Sequence, residues 1–188
     1  MISMKYGVHV LSVLIVFSLF TPLIHVSGVP YLDEWGIYEL DLATKDVQLV
    51  YSSPHKLDNI RLNPAGDTFA FSMYMGGDDY ENSEVYTLGV DGSGLTRLTD
   101  NDYMDAYPSW SPDGEEITYL SWGDATLDIW VMNADGEDQR LLYDSGNHDA
   151  DIHWVGDQIA FTRNSQIWVM DSDGSNPRQL TDPPRAGE

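Results

Sequence analysis

Two of the three histidines beyond residue 28 bracket the run with the most chemical promise, His148-Asp149-Ala150-Asp151-Ile152-His153. In an extended chain alternate side chains share a side, so Asp149, Asp151 and His153 are expected to offer oxygen and nitrogen donors together. Asp105 occupies the register of Asp149 one repeat earlier, whereas Leu57, followed by Asp58, stands there in the repeat before. Asp105, Asp149, Asp151 and His153 are therefore the candidate ligand-binding residues. They are read as a polar lining, with no metal and no cofactor assigned. Asp171-Ser172-Asp173-Gly174-Ser175-Asn176 resembles the start of a calcium loop, but it lacks glycine at the sixth position and glutamate at the twelfth. It reads as a hairpin turn. The acidic stretch Gly76–Asn82 reads as a solvated loop between two strands.

No catalytic residue is assigned. The chain has no Gly-x-Ser-x-Gly elbow, no His-Glu-x-x-His pair and no phosphate-binding glycine loop. It has no cysteine, which excludes disulfides, thiolate zinc sites, thiol nucleophiles and a lipid-modified N-terminal cysteine. Its 31 acids against 9 Lys and Arg give a formal charge of −22 over 188 residues. A phosphate backbone binds through Lys and Arg, so nucleic acid is not an expected partner, nor is an anionic membrane. Aromatic residues make up 12% of the chain, unlike disordered acidic segments.

Residues 1–28 read as a signal peptide. Lys5 supplies a positive start, an apolar run follows from Val8 to Phe20, and Val26-Ser27-Gly28 fits cleavage after Gly28. An uncleaved anchor over Val8–Ile24 is the alternative. Both export residues 29–188, to the periplasm or the cell exterior.

That remainder repeats itself. Ile37-Tyr38-Glu39-Leu40, Val85-Tyr86-Thr87-Leu88, Ile129-Trp130-Val131-Met132 and Ile167-Trp168-Val169-Met170 share one pattern. Five residues beyond the last three aromatics come Asp91-Gly92, Asp135-Gly136 and Asp173-Gly174. Leu98, Leu142 and Leu180 follow in register, then Asp100, Asp144 and Asp182. The cores are short and β-branched or aromatic, and Asp-Gly marks a hairpin, so each unit predicts paired antiparallel strands. Upstream, Ser111-Pro112-Asp113-Gly114 and Asn63-Pro64-Ala65-Gly66 predict type I turns joining two further strands. Trp154-Val155-Gly156-Asp157 is a shorter version. Four strands per unit at this period predict an all-β fold, a β-propeller of four-stranded antiparallel blades. The third and fourth strands of one blade open the array and three whole blades follow, about three and a half of an expected six.

Trp110-Ser111-Pro112-Asp113-Gly114, with Ile129-Trp130-Val131-Met132-Asn133-Ala134-Asp135-Gly136, resembles the WD-like propeller repeat of the TolB family. Ile167–Asp182 is similar over its whole length. The resemblance spans roughly residues 33–182 and implies a six-bladed, exported bacterial propeller. TolB itself carries a small α/β domain before its propeller, whereas only Val29–Glu34 separate the leader from the first strand here. The chain is therefore read as TolB-like and not as TolB. It is expected to continue past Glu188, or to complete its ring by association. The implied function is a non-catalytic binding or scaffold module that takes a protein partner or small ligand at the channel face. The alternative is the propeller of a prolyl oligopeptidase or dipeptidyl peptidase-like serine peptidase with its catalytic domain elsewhere.

Overall fold

A computed structural model describes residues 13–17, 35–41, 44–76, 82–123 and 126–182. It divides into two compact units, Met1–Pro54 and His55–Glu188. In the first, β1 (Val13–Phe17), β2 (Trp35–Leu40) and β3 (Val47–Ser53) form an antiparallel sheet in the order β1-β2-β3. β2 and β3 are the expected third and fourth strands of the opening blade. β1 is a departure: Val-Leu-Ile-Val-Phe, inside the run expected to be a leader, pairs from Val13↔Leu40 to Phe17↔Gly36. Its residues are β-branched or aromatic but for one leucine, so strand is a state they readily adopt. The rest of residues 1–28, with the expected cleavage position after Gly28, lies outside the described residues.

The second unit holds three sheets. They are β4 (Lys56–Leu62) to β7 (Thr96–Arg97), β8 (Asp105–Trp110) to β11 (Arg140–Tyr143), and β12 (Asp149–Val155) to β15 (Arg178–Gln179). β5 is Thr68–Tyr74, β6 Ser83–Gly89, β9 Glu116–Ser121, β10 Asp128–Asn133, β13 Gln158–Arg163 and β14 Gln166–Asp171. Each sheet is a four-stranded antiparallel meander, so the chain is all-β with propeller blades as the unit. The acidic stretch Gly76–Asn82 joins β5 to β6, and 77–81 of it lie outside the described residues.

The turns are built as the residue types require. Gly114 N–H donates to Ser111 O at 3.0 Å, and Gly66 N–H to Asn63 O at 3.0 Å. In the Asp-Gly turns the glycine closes the turn in the left-handed region, as with Gly136 (φ 90°) and Gly174 (φ 85°). The aspartate before it accepts a backbone N–H two residues on. Ser93 donates to Asp91 at 2.9 Å, Glu137 to Asp135 at 3.0 Å and Ser175 to Asp173 at 2.9 Å. Hydrogen bonds from Ser93 and Ser175 hold the Asp91 and Asp173 carboxyls below the usual carboxylate range. In the calcium-like loop, Asn176 Nδ2 donates to Asp171 Oδ2 at 2.7 Å. That loop closes on itself as a hairpin.

Each first strand carries the same irregularity. The register slips between Asp58 and Arg61, between Ala106 and Ser109, and between Ala150 and His153. In each slip one residue is left-handed: Asn59 (φ 53°), Tyr107 (φ 59°) and Asp151 (φ 50°). A tyrosine in that region is strained, and the neighbouring blade holds it, since Tyr107 N–H donates to Ser72 Oγ at 3.1 Å.

The core lies between blades. Ala70, Val85 and Leu98 of β4–β7 pack with Trp110, Ile117, Tyr119 and Met132 of β8–β11. Leu120 and Ile129 of β8–β11 pack with Ile152, Ile159, Phe161 and Met170 of β12–β15. Trp130 covers the first cluster, and Trp154 and Trp168 the second. Polar bonds repeat the same stitch. Trp110 Nε1 donates to Arg61 O at 3.2 Å, Trp154 N–H to Ser109 Oγ at 3.0 Å and Gln139 Nε2 to Leu98 O at 2.9 Å.

Candidate functional site

The antiparallel meander sorts the loops. Turns within the first and second hairpins of a blade fall at one end, and loops joining hairpins and successive blades fall at the other. The candidate residues belong to this second end. Asp105 and Asp149 are the first residues of β8 and β12, and both are wholly buried. Asp151 and His153 are exposed. The bulge between Ala150 and His153 breaks the alternation, so the three side chains do not share one face as expected. Asp151 accepts from Thr162 Oγ1 at 3.1 Å. Among the described residues no three His, Asp or Glu side chains converge as metal ligands.

Asp149 pairs across the ladder with Arg163. Arg163 Nε donates to Asp149 Oδ1 at 2.7 Å and Nη2 to Oδ2 at 3.2 Å, a two-pronged bond. The guanidinium also lies 4.6 Å from the Trp168 ring centre, and 5.2 Å from those of Tyr143 and Phe161. Burial pushes the Asp149 carboxyl up, and Arg163 pulls it back without restoring the ordinary value. Burial would lower Arg163, but its bonds to Asp149 and Tyr143 hold it above its ordinary value. The pair joins two blades, since Tyr143 ends β11.

The register position facing each first-strand start changes from blade to blade: Leu57 faces Met73, Asp105 faces Ser121, and Asp149 faces Arg163. Asp105 thus lacks a cation. Its Oδ2 accepts from Asn101 Nδ2 at 2.7 Å, and its buried Oδ1 has no hydrogen bond. Burial pushes this carboxyl above the usual range, against the pull of Ser121 and Asn101, and nearby Glu84 pushes it further. The native state therefore holds the proton more tightly than the unfolded chain. The penalty is absent below the ordinary carboxylate range and complete above the raised native value. Asp105→Asn is expected to stabilise the fold by about 1 kcal/mol at neutral pH, because it removes a buried charge. Melting of both proteins from pH 4 to 8 checks this. The gain should shrink toward the acid end.

Glu84, also wholly buried, accepts from Arg97 Nη2 at 2.6 Å, Thr99 Oγ1 at 2.5 Å and Asn101 N–H at 3.0 Å. Thr99 Oγ1 in turn accepts from Val85 N–H at 2.9 Å. Thr181 repeats this device, accepting from Ile167 N–H at 2.9 Å and donating to Gln166 Oε1 at 2.9 Å. The repeated Leu-Thr-Asp is thus a strand lock. Tyr143 replaces the threonine in the one blade whose neighbour carries Arg163.

Sequence reasoning missed Trp122. It stands directly after β9, 44% exposed, and its ring meets that of His148 at 5.2 Å and 61°. Its N–H donates to Met104 O at 3.0 Å, beside Tyr103, which is 48% exposed. The available signal was negative: Trp122 belongs to none of the repeated motifs.

Residues 33–186 match the TolB beta propeller domain family. The chain belongs to that family. A Tol-Pal system protein TolB of Francisella tularensis subsp. mediasiatica is 31% identical over 111 residues, 55% of this chain and 24% of that protein. A dipeptidyl-peptidase 5 of Porphyromonas endodontalis is 27% identical over 89 residues, 46% of this chain and 13% of that protein. The crystal structure of TolB from Acinetobacter baumannii superposes with a TM-score of 0.69 at 21% identity, over 80% of this chain and 38% of that one. The chain spans less than half the length of the curated relatives it matches.

Proposed function

We propose that this TolB-type propeller is a non-catalytic binding module of an exported protein, which takes a protein partner at the end where the first strands begin. The observation that carries this reading is how the buried polar groups of that end are used. Asp149 is spent on Arg163, and Glu84 on Arg97, Thr99 and Asn101. They act as cement between strands and blades, so recognition falls to exposed loops and to Asp151 and His153. The relative named as a Tol-Pal system protein supports a protein partner, and the leader-like residues 1–28 support export. The matched dipeptidyl-peptidase favours one other reading, the propeller of a serine peptidase. Labelling of the full-length gene product with a fluorophosphonate, which marks activated serines, separates the two. No labelling above a heat-denatured control is expected. Saturable labelling would make the protein a hydrolase.

A further inference from the structure

Three loops, one within the β8–β11 blade and one at each of its two junctions, meet at one place. Trp122 follows β9, Tyr103 lies two residues before β8, and His148 directly precedes β12. The bond from Trp122 N–H to Met104 O ties the first loop to the second, and the ring contact with His148 ties it to the third. The other four tryptophans of this unit have structural posts. Trp110 ends β8 and Trp154 lies near the end of β12 in the matching register, while Trp130 and Trp168 sit mid-strand in β10 and β14. The position of Trp122 is held by buried Tyr74 in the blade before and by Asn164, in a turn, in the blade after. Only one of the other two blades has a ring here, and it is buried; burial does not explain one that is nearly half exposed.

The charged residues in the loops of Tyr103 and His148 have one sign. Asp100 and Asp102 share the loop of Tyr103, and Asp144 shares the loop of His148. The arginines of this end are committed: Arg97 to Glu84 and Asp100, Arg163 to Asp149. A cation placed over an indole face within about 6 Å is attracted by the ring, and surrounding carboxylates raise its local concentration. We infer that the Trp122–His148 shelf, with Tyr103 and the flanking Asp102 and Asp144, docks an arginine or lysine side chain from a basic segment of a protein partner. This rests on the binding-module reading and gives the partner its chemistry.

Titration of the purified protein with a synthetic Arg-Gly-Arg-Gly-Arg peptide, and with its glutamate counterpart, tests the inference by tryptophan fluorescence and calorimetry at low salt. The arginine peptide is expected to bind saturably and the glutamate peptide not at all. Trp122→Ala is expected to weaken binding about fivefold, as loss of one cation–ring contact implies, and Trp122→Phe to keep most of it. Asp102→Asn with Asp144→Asn should weaken it as well. Trp122 is exposed, so these variants should melt with the parent protein. Unchanged affinity in Trp122→Ala, binding of the glutamate peptide, or no saturable binding of the arginine peptide would each overturn the shelf. None of these results touches the non-catalytic reading, which falls only to fluorophosphonate labelling.

Discussion

Arg163→Ala is expected to destabilise the propeller by about 3–5 kcal/mol, the usual consequence of leaving one partner of a buried ion pair without the other. The wholly buried Asp149 would lose both prongs of its bond, and only Ser145 Oγ, at 3.3 Å, would remain against it. Three aromatic rings would lose the cation they surround. Urea unfolding at neutral pH measures the loss. Arg163→Met with Asp149→Asn should recover most of it, since an amide and a thioether need no counter-charge. If the double variant is as unstable as Arg163→Ala, the guanidinium acts through packing between Tyr143 and Trp168 and not through its charge.

Gly174→Ala is the second large effect. Gly174 lies at φ 85°, and an added Cβ would come within 2.5 Å of the Leu142 carbonyl oxygen in the preceding blade. Backbone cannot yield as a flexible side chain can. Gly66 is the internal control, because its φ is 77° and a Cβ there meets nothing within 4 Å. Gly66→Ala should cost about 1 kcal/mol, the conformational penalty alone. Gly174→Ala should exceed that by at least about 1 kcal/mol, the added part being the lost fit between blades. Equal losses in thermal or urea unfolding would mean that the turn, and not the junction, governs this position.

The blades were legible in the chain because their signals are local. Val85-Tyr86-Thr87-Leu88 needs only its own pattern to read as a strand, and Asp91-Gly92 only two residues to read as a turn. The first-strand bulge was not legible. Asn59 and Asp151 are residue types that tolerate the left-handed region, but Tyr107 is not, so no common motif marks the three. That bulge also defeated the inference that Asp149, Asp151 and His153 share a side. The register of Asp105 and Asp149 was correct as repeat grammar, but their burial depended on what faces them. Ser121 and Arg163 stand 16 and 14 residues away in sequence, and only the second brings a charge to the carboxylate it faces. The aromatic shelf was hidden for another reason. It is assembled from three loops, and only the fold brings Trp122 to His148.

A core shared between neighbours has a consequence for how such a chain can change by duplication. The repeating segment runs from one first strand to the next, whereas each hydrophobic cluster straddles two segments. The unit that is copied and the unit that is packed are therefore half a period out of step. Inserting or deleting one repeat always creates a new junction, and that junction closes only where both sides keep the shared parts. The leucine at the end of one blade against the turn glycine of the next is such a part, as with Leu98 and Gly136. Tyr143 and Arg163 are not, because the bond between them across the junction needs both. That junction is fixed in its place in the array, and the generic ones are interchangeable.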